Sequence, residues 1–506
     1  MVKLPHVQLS KLDISWEVIG SVPEELIHRH KVFPYKKEGK NIFLAMVDPL
    51  DFIALDEITL ATGLQVIPAL TTEAELNTVI NRYLGFSQEL VAAINQFETE
   101  ENLLYKFTFD FDRLHHENDT PIIQAVNGII EQAVVRGASD IHIEPHEEGI
   151  KVRFRIDGLL QEIFTLPCKV HPPLASRLKL MAKMDIAERR KPQDGRIQIK
   201  IGGRKVDLRV SSLPTIFGEK LVIRILDQEQ KLRQISQLGF SEKQLKIFSK
   251  LLSFPYGMIL VTGPTGSGKT TTLYAALNEL HTVEKNIITI EDPVEYVFDQ
   301  INQVQVNPKA GVDFAKGLRS ILRQDPDIIM VGEIRDRETA QIAVRAATTG
   351  HLVLSTLHTN NAAGALTRLV DMGVESFLVA SSVVGIVAQR LVRKVCPHCR
   401  EEYEPDKNSP ERLFLGPEYY RLPFTLIRGA GCVNCNFTGY KGRTAIQEVL
   451  IVESEERDFL LEKADAETIQ EAAVKKGMIT MRADGLEKAL KGITTVQEVM
   501  RVTINL

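Results

Sequence analysis

The spacing of hydrophobic positions changes twice along the chain, and each change predicts a different kind of structure. In the first 90 residues, the apolar run at 43–47 predicts a buried strand that ends at Asp48-Pro49. In the second part, apolar and charged residues alternate at 152–156 (VRFRI) and 197–201 (IQIKI), which predicts half-buried antiparallel strands. From residue 235 onward, short apolar runs alternate with helical stretches, which predicts a parallel sheet with crossover helices.

These patterns divide the chain into six segments. Two-residue turns at Asp157-Gly158 and Gly202-Gly203 join the alternating runs into hairpins, so we expect an α+β domain with its polar strand faces outward. An acidic stretch without clear periodicity predicts a linker, and Gly477 is a predicted helix terminator in a mostly helical carboxyl-terminal part. The predicted segments are an N-terminal docking domain of α/β type at 1–90, a linker at 91–118, the α+β sheet domain at 119–234, an α/β core at 235–394, an insertion at 395–442 and a helical part at 443–506.

Composition and charge narrow the class of protein. The 506 residues are 44% hydrophobic and 25% charged, which is typical of a soluble globular protein of about three domains. The formal net charge of −5 disfavours a surface that binds nucleic acid throughout, and we interpret the basic stretch at 177–191 as the charged face of a helix. No apolar run approaches the roughly 18 residues of a membrane span, and the amino terminus lacks a signal-peptide core, so the expected compartment is the cytoplasm.

A glycine-rich segment follows the first strand of the α/β core. Residues 258–261 (MILV) lead into 263–270 (GPTGSGKT) and then into a stretch suited to a helix. This is the G-x4-G-K-T pattern of a P-loop, whose glycines let backbone N–H groups surround phosphates at the helix amino terminus. Lys269 is predicted to reach the β- and γ-phosphates, and Thr270 to place its hydroxyl on Mg²⁺. The predicted nucleotide-binding residues are Gly263, Pro264, Thr265, Gly266, Ser267, Gly268, Lys269, Thr270 and Thr271.

Two further predicted strands of the core end in acidic residues, and a third ends in a histidine. Glu291-Asp292 follows 286–290 (NIITI), and Glu333 follows 327–332 (DIIMVG) in the manner of a Walker B strand. Helix capping is the competing interpretation of any one such carboxylate. Because open α/β sheets bind ligands at the carboxyl ends of their strands, we expect both acids beside the phosphates. His358 ends the strand at 351–358, where we expect it to sense the γ-phosphate.

Four of the five cysteines form two C-x2-C pairs. Cys396 and Cys399 are separated from Cys432 and Cys435 by 32 intervening residues. In a reducing compartment this spacing predicts four thiolate ligands of Zn²⁺ rather than disulfides. Because a four-cysteine set leaves no open coordination position, the zinc is predicted to be structural, and His398 is interpreted as a bystander.

Four motifs of the core occur in a fixed order: GPTGSGKTTTLY, ITIEDPVEY, LRQDPDIIMVGEIRD and TGHLVLSTLHTN. Together they resemble the Walker A, Asp box, Walker B and His box of the secretion ATPases of type II secretion and type IV pilus systems. The resemblance extends into the second domain through SDIHIE at 139–144, RFRIDG at 153–158 and PQDGR at 192–196. It covers residues 120–506 strongly, whereas the first 90 residues match only the general outline of that family's amino-terminal domain.

The resemblance implies a homo-hexameric ring of RecA-like P-loop domains, each preceded by a PAS-like α+β sheet domain, with ATP bound between the two. In that family, arginines of the sheet domain reach the γ-phosphate, and the matching positions are Arg196 and Arg209. Arg319 and Arg323 are further expected to line the site.

The resemblance leaves the identity of the residue that activates water open between two glutamates. We favour Glu291 as the base and Glu333 as the acid of the metal shell. The tetracysteine element resembles that of secretion and pilus-extension members, whereas retraction motors generally lack it.

The implied function is ATP hydrolysis that powers pseudopilus assembly and protein export by type II secretion. The amino-terminal domain is expected to dock on inner-membrane platform proteins, which gives peripheral membrane association only. Type IV pilus extension is the alternative within the family, and the single compact amino-terminal domain favours secretion. A RecA-like nucleic-acid motor is disfavoured by the acidic charge, and a nucleotide-gated scaffold is disfavoured by the intact Lys269, Thr270, Glu291 and Glu333.

Overall fold

The computed structural model describes most of the chain as two compact units. The described residues are 6, 7, 9, 12, 14, 18, 21–80 and 121–504, apart from 74, 77, 78, 202, 203, 228–233, 407, 418–423, 436 and 437. The predicted linker at 91–118 and the predicted Gly202-Gly203 turn lie outside these residues. The first unit comprises Met1–Glu229, Cys396–Cys399 and Gly429–Tyr440, and the second comprises Gln230–Val395, Arg400–Arg428 and Lys441–Leu506. Among the described residues, no helix has the length and hydropathy needed to cross a bilayer.

Five elements of the amino-terminal domain lie wholly within the described residues, three strands of one mixed sheet and two helices. The elements are α1 (Glu24–His30), β1 (Val32–Glu38), β2 (Asn41–Met46), α2 (Phe52–Thr62) and β3 (Gln65–Leu70). β1 pairs antiparallel and β3 pairs parallel with the central strand β2, where the apolar run at 43–47 predicted a strand. The Asp51 carboxylate accepts the Ala54 N–H at the start of α2, and Gly63 ends the helix with a left-handed φ of 66°.

The next part of the first unit is a six-stranded antiparallel sheet covered on one face. Its elements are α3 (Pro121–Val135), β4 (Asp140–Pro145), β5 (Ile150–Ile156), β6 (Leu159–Leu166), α4 (His171–Met181), β7 (Gln193–Ile201), β8 (Arg204–Thr215) and β9 (Gly218–Asp227). The strand order is β6-β5-β4-β9-β8-β7. Val206, Leu208 and Val210 of β8 are buried with apolar residues of α3 and α4, and Arg209 alternates with them onto the other face. This arrangement confirms the predicted α+β architecture.

The second unit is built on a seven-stranded sheet. Its strands are β10 (Gly257–Thr262), β11 (Ile287–Glu291), β12 (Asn302–Gln305), β13 (Ile328–Val331), β14 (Leu352–Leu357), β15 (Val383–Val395) and β18 (Tyr440–Ile451), in the order β12-β11-β13-β14-β10-β15-β18. The pairs from β12 through β15 are parallel, as the alternation of strands and helices predicts. Met258 and Leu260 of β10 join one apolar cluster and Ile259 and Val261 join another, so the sheet is buried on both faces.

Helices flank this sheet, and a small two-stranded sheet lies between the cysteine pairs in the sequence. The helices are α5 (Glu242–Leu252), α6 (Lys269–Leu280), α7 (Phe314–Ile321), α8 (Arg337–Thr348), α9 (Ala363–Asp371), α10 (Ser376–Ser382), α11 (Pro410–Leu415), α12 (Ser454–Leu461), α13 (Ala466–Lys475), α14 (Met481–Leu490) and α15 (Val496–Thr503). The small sheet pairs β16 (Arg400–Tyr403) with β17 (Leu426–Gly429). The part predicted to be helical at 443–506 is helical only after β18, because residues 443–451 complete that strand of the sheet. Gly477 follows α13 with a φ of 93°.

A buried carboxylate attaches the last helix to the sheet. Thr495 caps α15 by accepting the Glu498 N–H, at the position where the sequence has capping-box spacing. The Glu498 side chain accepts hydrogen bonds from Arg393 of β15 at 2.8 Å and from Arg501 at 2.8 and 2.9 Å. Burial by itself would raise the pKa of Glu498, but these charged donors outweigh it and lower the pKa to about 2.

We expect Glu498→Gln to lower the free energy of unfolding by about 3 kcal/mol at pH 7, because it leaves two guanidinium groups beside a neutral amide. The pKa of Glu498 is below its unfolded value, so the carboxylate contributes fully above pH 4.5 and loses its contribution as the pH falls toward 2. Thermal unfolding at pH 7 and pH 3 measures this difference, which should shrink at the lower pH. Glu487→Gln removes an exposed ion pair with Lys491 and should be nearly neutral; an equally small effect of Glu498→Gln would contradict the expectation.

Candidate nucleotide-binding site

The glycine-rich segment forms a tight loop between β10 and the first turn of α6. Gly263, Gly266 and Gly268 have φ values of 143°, 78° and 87°, which side-chain-bearing residues rarely adopt. A Cβ atom at Gly263 would lie 2.4 Å from the carbonyl oxygen of Gln389, so this position has room only for glycine. Both properties are those that a loop needs when its backbone N–H groups bind phosphates.

Lys269 lies along this loop. Its Nζ donates to the carbonyl oxygens of Gly263 at 2.8 Å and of Pro264 at 3.1 Å. Burial lowers the pKa of Lys269, and the nearby Glu333 carboxylate opposes that shift. Ser267 is buried, whereas four other residues of the loop and the first helical turn are exposed: Pro264, Thr265, Thr270 and Thr271. All nine predicted nucleotide-binding residues therefore lie in this loop and the first turn of α6.

Glu291 ends β11 and is held by three side chains. Its Oε1 accepts from the Thr289 hydroxyl at 2.7 Å and from Gln303 Nε2 at 3.0 Å, and its Oε2 accepts from the Tyr274 hydroxyl of α6. Only 3% of Glu291 is exposed. Three of the roughly four lone-pair positions of the carboxylate are therefore occupied. Such a group is better suited to fixing the α6–β11 contact than to taking a proton from water.

Burial raises the pKa of the Tyr274 phenol, and the charge of Glu291 adds to this effect, so the hydroxyl stays protonated and donates. The same hydroxyl accepts the N–H of Glu295 at 3.2 Å. Tyr274 thus connects α6 with the loop after β11. Glu295, an acid of that loop, was missed by the sequence reasoning, which considered only acids placed directly at strand ends.

Glu333 lies one residue beyond Gly332, which follows β13. Its carboxylate contacts Arg335 Nη2 at 2.6 Å and His358 Nε2 at 3.5 Å, and its side chain is 15% exposed. The structure therefore brings together Glu333, His358 and the P-loop lysine, whose pKa responds to Glu333. The backbone after His358 is tied to the strand of the P-loop, because the Thr262 and Thr359 hydroxyls are 2.7 Å apart and Thr359 N–H donates to Thr262.

The predicted arginines of the six-stranded sheet lie on its open face. Arg196 is directly opposite Arg209, and Arg209 is directly opposite Arg224, across three neighbouring strands. Arg196 Nε donates to Asp207 at 2.5 Å and Arg224 Nε donates to Asp140 at 3.1 Å, while both side chains remain 58% exposed. Arg224 was missed by the sequence reasoning, although the register of the β8–β9 hairpin would have placed it beside Arg209.

Arg319 and Arg323 make contacts on and near α7. Arg319 Nη2 is 2.6 Å from Glu338 of α8. Arg323 donates to the Arg319 carbonyl oxygen at 3.0 Å and to the Ser320 hydroxyl at 3.2 Å. These contacts accompany helix packing, and the prediction that the two arginines line the site remains a prediction.

The four predicted metal ligands converge. The Sγ atoms of Cys396 and Cys432, of Cys399 and Cys435, and of Cys432 and Cys435 are each 3.8 Å apart, and all four lie within 4.8 Å of one another. Four sulfurs at about 2.3 Å from a tetrahedral Zn²⁺ would be separated by about 3.8 Å, so the set fits this ion. The N–H groups of Cys432 and Gly439 also donate to Cys435 Sγ, which favours a thiolate.

Comparison with known proteins agrees with this geometry. Residues 115–501 match the family described as Type II/IV secretion system protein, and residues 2–90 match the MshEN domain. The Vibrio cholerae type II secretion system ATPase E is 52% identical over 392 residues, which cover 78% of this chain and 77% of that protein. The Pseudomonas aeruginosa type IV pilus assembly ATPase PilB is 43% identical over 505 residues, which cover 99% of this chain and 88% of that protein.

A third relative is longer than this chain, and two solved structures share the fold. The Thermus thermophilus type IV pilus assembly ATPase PilB is 46% identical over 490 residues, but the match spans only 54% of its length. The Legionella pneumophila ATPase DotB superposes with a TM-score of 0.55 at 23% identity, over 75% of this chain and 95% of its own. The pilus retraction motor PilT with bound ADP superposes with a TM-score of 0.50 at 28% identity, over 74% of this chain and 96% of its own. By its matching family, its relatives and its fold, the chain belongs to the family of type II secretion and type IV pilus assembly ATPases.

Proposed function

We propose that this protein hydrolyses ATP to power pseudopilus assembly and protein export by a type II secretion system. The observation that carries the proposal is the cluster of Lys269, Glu333 and His358 at the carboxyl ends of neighbouring strands, beside a loop shaped for phosphates. Within the family, secretion and pilus relatives are similarly close, at 52% identity over 78% of this chain for the Vibrio secretion ATPase and 43% over 99% for the Pseudomonas pilus ATPase. The choice of secretion therefore rests on the single compact amino-terminal domain.

The residues of the site divide the chemistry among them. The loop at 263–271 binds the phosphates of ATP through its backbone, and Lys269 balances their charge. The Thr270 hydroxyl would hold Mg²⁺, which neutralises charge on the phosphates. His358, in contact with Glu333, connects this acid to the loop after β14 and so is placed to sense the γ-phosphate.

Glu291 and Glu333 are the two candidates for the base that activates water. Glu291 was predicted for this role, but its engagement by Tyr274, Thr289 and Gln303 favours a positioning role. Glu333, partly exposed and close to Lys269, is the better-placed proton acceptor of the two.

Completion of the site by a separate domain is part of the proposal. In a ring of six chains, the row formed by Arg196, Arg209 and Arg224 supplies positive charge to the γ-phosphate from the sheet domain. Because this charge belongs to another domain, loss of the phosphate after hydrolysis would release that domain, which is how ATP turnover becomes movement. The row's alignment on one open face supports this role.

The amino-terminal domain at 1–90 is proposed to dock the motor on inner-membrane platform proteins, with the linker at 91–118 connecting it to the sheet domain at 119–234. The proposed organisation is completed by three further segments: the P-loop core at 235–394, the zinc-binding insertion at 395–442 and the carboxyl-terminal part at 443–506. The protein would thus act in the cytoplasm, peripheral to the inner membrane, without binding nucleic acid.

Type IV pilus extension is the second candidate, and one observation favours it. The Pseudomonas pilus ATPase aligns with 99% of this chain, including the amino-terminal domain, whereas the Vibrio secretion ATPase aligns with 78%. Deleting the gene in its source organism and restoring either wild type or Lys269→Ala tests the two roles. Loss of exported enzymes with surface pili intact, rescued only by wild type, supports secretion. Loss of pili with export intact would instead assign the protein to pilus extension.

Substitution of the two glutamates separates their roles. We expect Glu333→Gln to lower kcat at least about 100-fold while ATP still binds, because the P-loop is unchanged and the carboxylate function is lost. Glu291→Gln should have a smaller effect on kcat and lower the thermal stability, because an amide has one acceptor oxygen and cannot accept from Tyr274 as well as from Thr289 and Gln303. Steady-state ATPase assays with nucleotide titration and thermal unfolding measure these effects. Loss of hydrolysis only in Glu291→Gln would reverse the assignment.

The tetracysteine set should bind one zinc per chain. Cys396→Ser should remove most of the metal and destabilise the fold, because three thiolates leave the tetrahedral set incomplete. Elemental analysis of purified protein measures the content. His398→Ala and Cys168→Ser, which change neighbouring or solitary residues outside the set, should retain full zinc. Metal content much below one per chain in wild type would contradict the prediction.

A further inference from the structure

We infer that Gln389 of β15 is a positioning residue that sets the phosphate-binding shape of the P-loop. The inference rests on the proposed function, since it assigns the loop at 263–271 to nucleotide phosphates. Gln389 lies more than 100 residues beyond the P-loop in the sequence and belongs to none of the four motifs of the core. Its strand β15 is the parallel neighbour of β10, and its side chain is only 1% exposed.

Both ends of the Gln389 side-chain amide are bound to the P-loop and the first turn of α6. Nε2 donates to the carbonyl oxygen of Ser267 at 2.8 Å, and Oε1 accepts from the Thr272 hydroxyl at 2.8 Å. The backbone contributes as well, because the carbonyl oxygen of Gln389 occupies the space that a Cβ atom at Gly263 would need. One residue thus contacts the beginning of the loop, its last turn and the helix that follows.

The contact with Ser267 determines the direction of a backbone donor. In a trans peptide unit the C=O of one residue and the N–H of the next point in opposite directions. Because Gln389 binds the Ser267 carbonyl, the N–H of Gly268 in the same peptide unit points away from Gln389. Gly268 adopts a φ of 87°, which permits this turn immediately before Lys269.

The bond with Thr272 fixes the helix relative to the same loop. The first turn of α6 carries the N–H groups and the positive end of the helix that favour an anion. Because one amide holds both the Ser267 carbonyl and the Thr272 hydroxyl, the loop and the helix keep a constant geometry. A phosphate then meets donors that are already oriented, which is the condition for tight binding.

Two substitutions at Gln389 test the inference. Gln389→Met keeps the length of the side chain and removes both hydrogen bonds, whereas Gln389→Glu keeps an acceptor for Thr272 and removes the donor to Ser267. The probes are ADP and AMP, titrated with Mg²⁺ against full-length protein, together with kcat, KM and thermal unfolding. We expect ADP affinity to fall about tenfold in both variants, because Gln389→Met loses two buried hydrogen bonds and Gln389→Glu loses one and places a carboxylate against the Ser267 carbonyl oxygen. AMP affinity should stay within about twofold of that of the wild type. KM for ATP should rise more than kcat falls.

Gln447 of β18 provides the matched control. It is also a fully buried glutamine of the same sheet, and neither its Nε2 nor its Oε1 has a hydrogen-bond partner in the described structure. Gln447→Met should therefore leave ADP affinity unchanged. If Gln389→Met does not fold, Thr272→Val removes the hydroxyl at the other end of the amide and should lower ADP affinity by about threefold at unchanged AMP affinity.

Lys269→Ala separates failure of the inference from failure of the proposed site. If Lys269→Ala abolishes ADP binding but folded Gln389→Met and Gln389→Glu bind ADP like wild type, the role of Gln389 is overturned and the site stands. If ADP and AMP weaken equally, or Gln447→Met weakens ADP as much as Gln389→Met, the role is also overturned. If Lys269→Ala itself binds ADP like wild type, the proposed phosphate site fails, and the inference fails with it.

Discussion

A phosphate site made from backbone N–H groups constrains the part of the structure that packs against its loop. Each inward N–H belongs to a peptide whose neighbouring carbonyl points elsewhere, and a buried carbonyl without a partner is costly. In this chain the Gln389 side chain donates a hydrogen bond to the carbonyl oxygen of Ser267, and Gly263 leaves room for the backbone of β15. Both contacts require β15 to lie beside β10 in one register, and the parallel pairing provides that register.

The same sheet brings the remaining chemistry to the loop. The strands β11, β13, β14 and β10 are parallel neighbours, so their carboxyl ends lie along one edge of the sheet. At this edge lie Glu291, Glu333, His358 and the start of the P-loop. Apolar side chains on both faces of β10 hold that edge rigid. Glu291 and Glu333 lie at the ends of adjacent strands but have different surroundings: the first is enclosed by Tyr274, Thr289 and Gln303, and the second is partly exposed beside His358.

Local sequence patterns were sufficient for the elements and for the motifs. Alternation of apolar and charged residues at 152–156 and 197–201 predicted half-buried antiparallel strands, and the structure has them as β5 and β7 of the six-stranded sheet. The glycines of the P-loop and the two C-x2-C pairs were predicted from residue type and spacing alone, because each depends on what a single residue can do. Contacts between distant segments were beyond these patterns: Gln389 and Tyr274 carry no local signal of their partners.

The sequence by itself therefore determined the family, the fold class and the set of residues capable of phosphate and metal chemistry. Only the tertiary structure decided how those residues are engaged. It enclosed the Glu291 carboxylate, placed Glu333 against His358, and brought four sulfurs to separations of 3.8 Å that suit a tetrahedral ion. The physical reason is that residue type and spacing fix what a side chain can donate or accept, whereas burial and hydrogen-bond partners arise from strands and helices far apart in the chain.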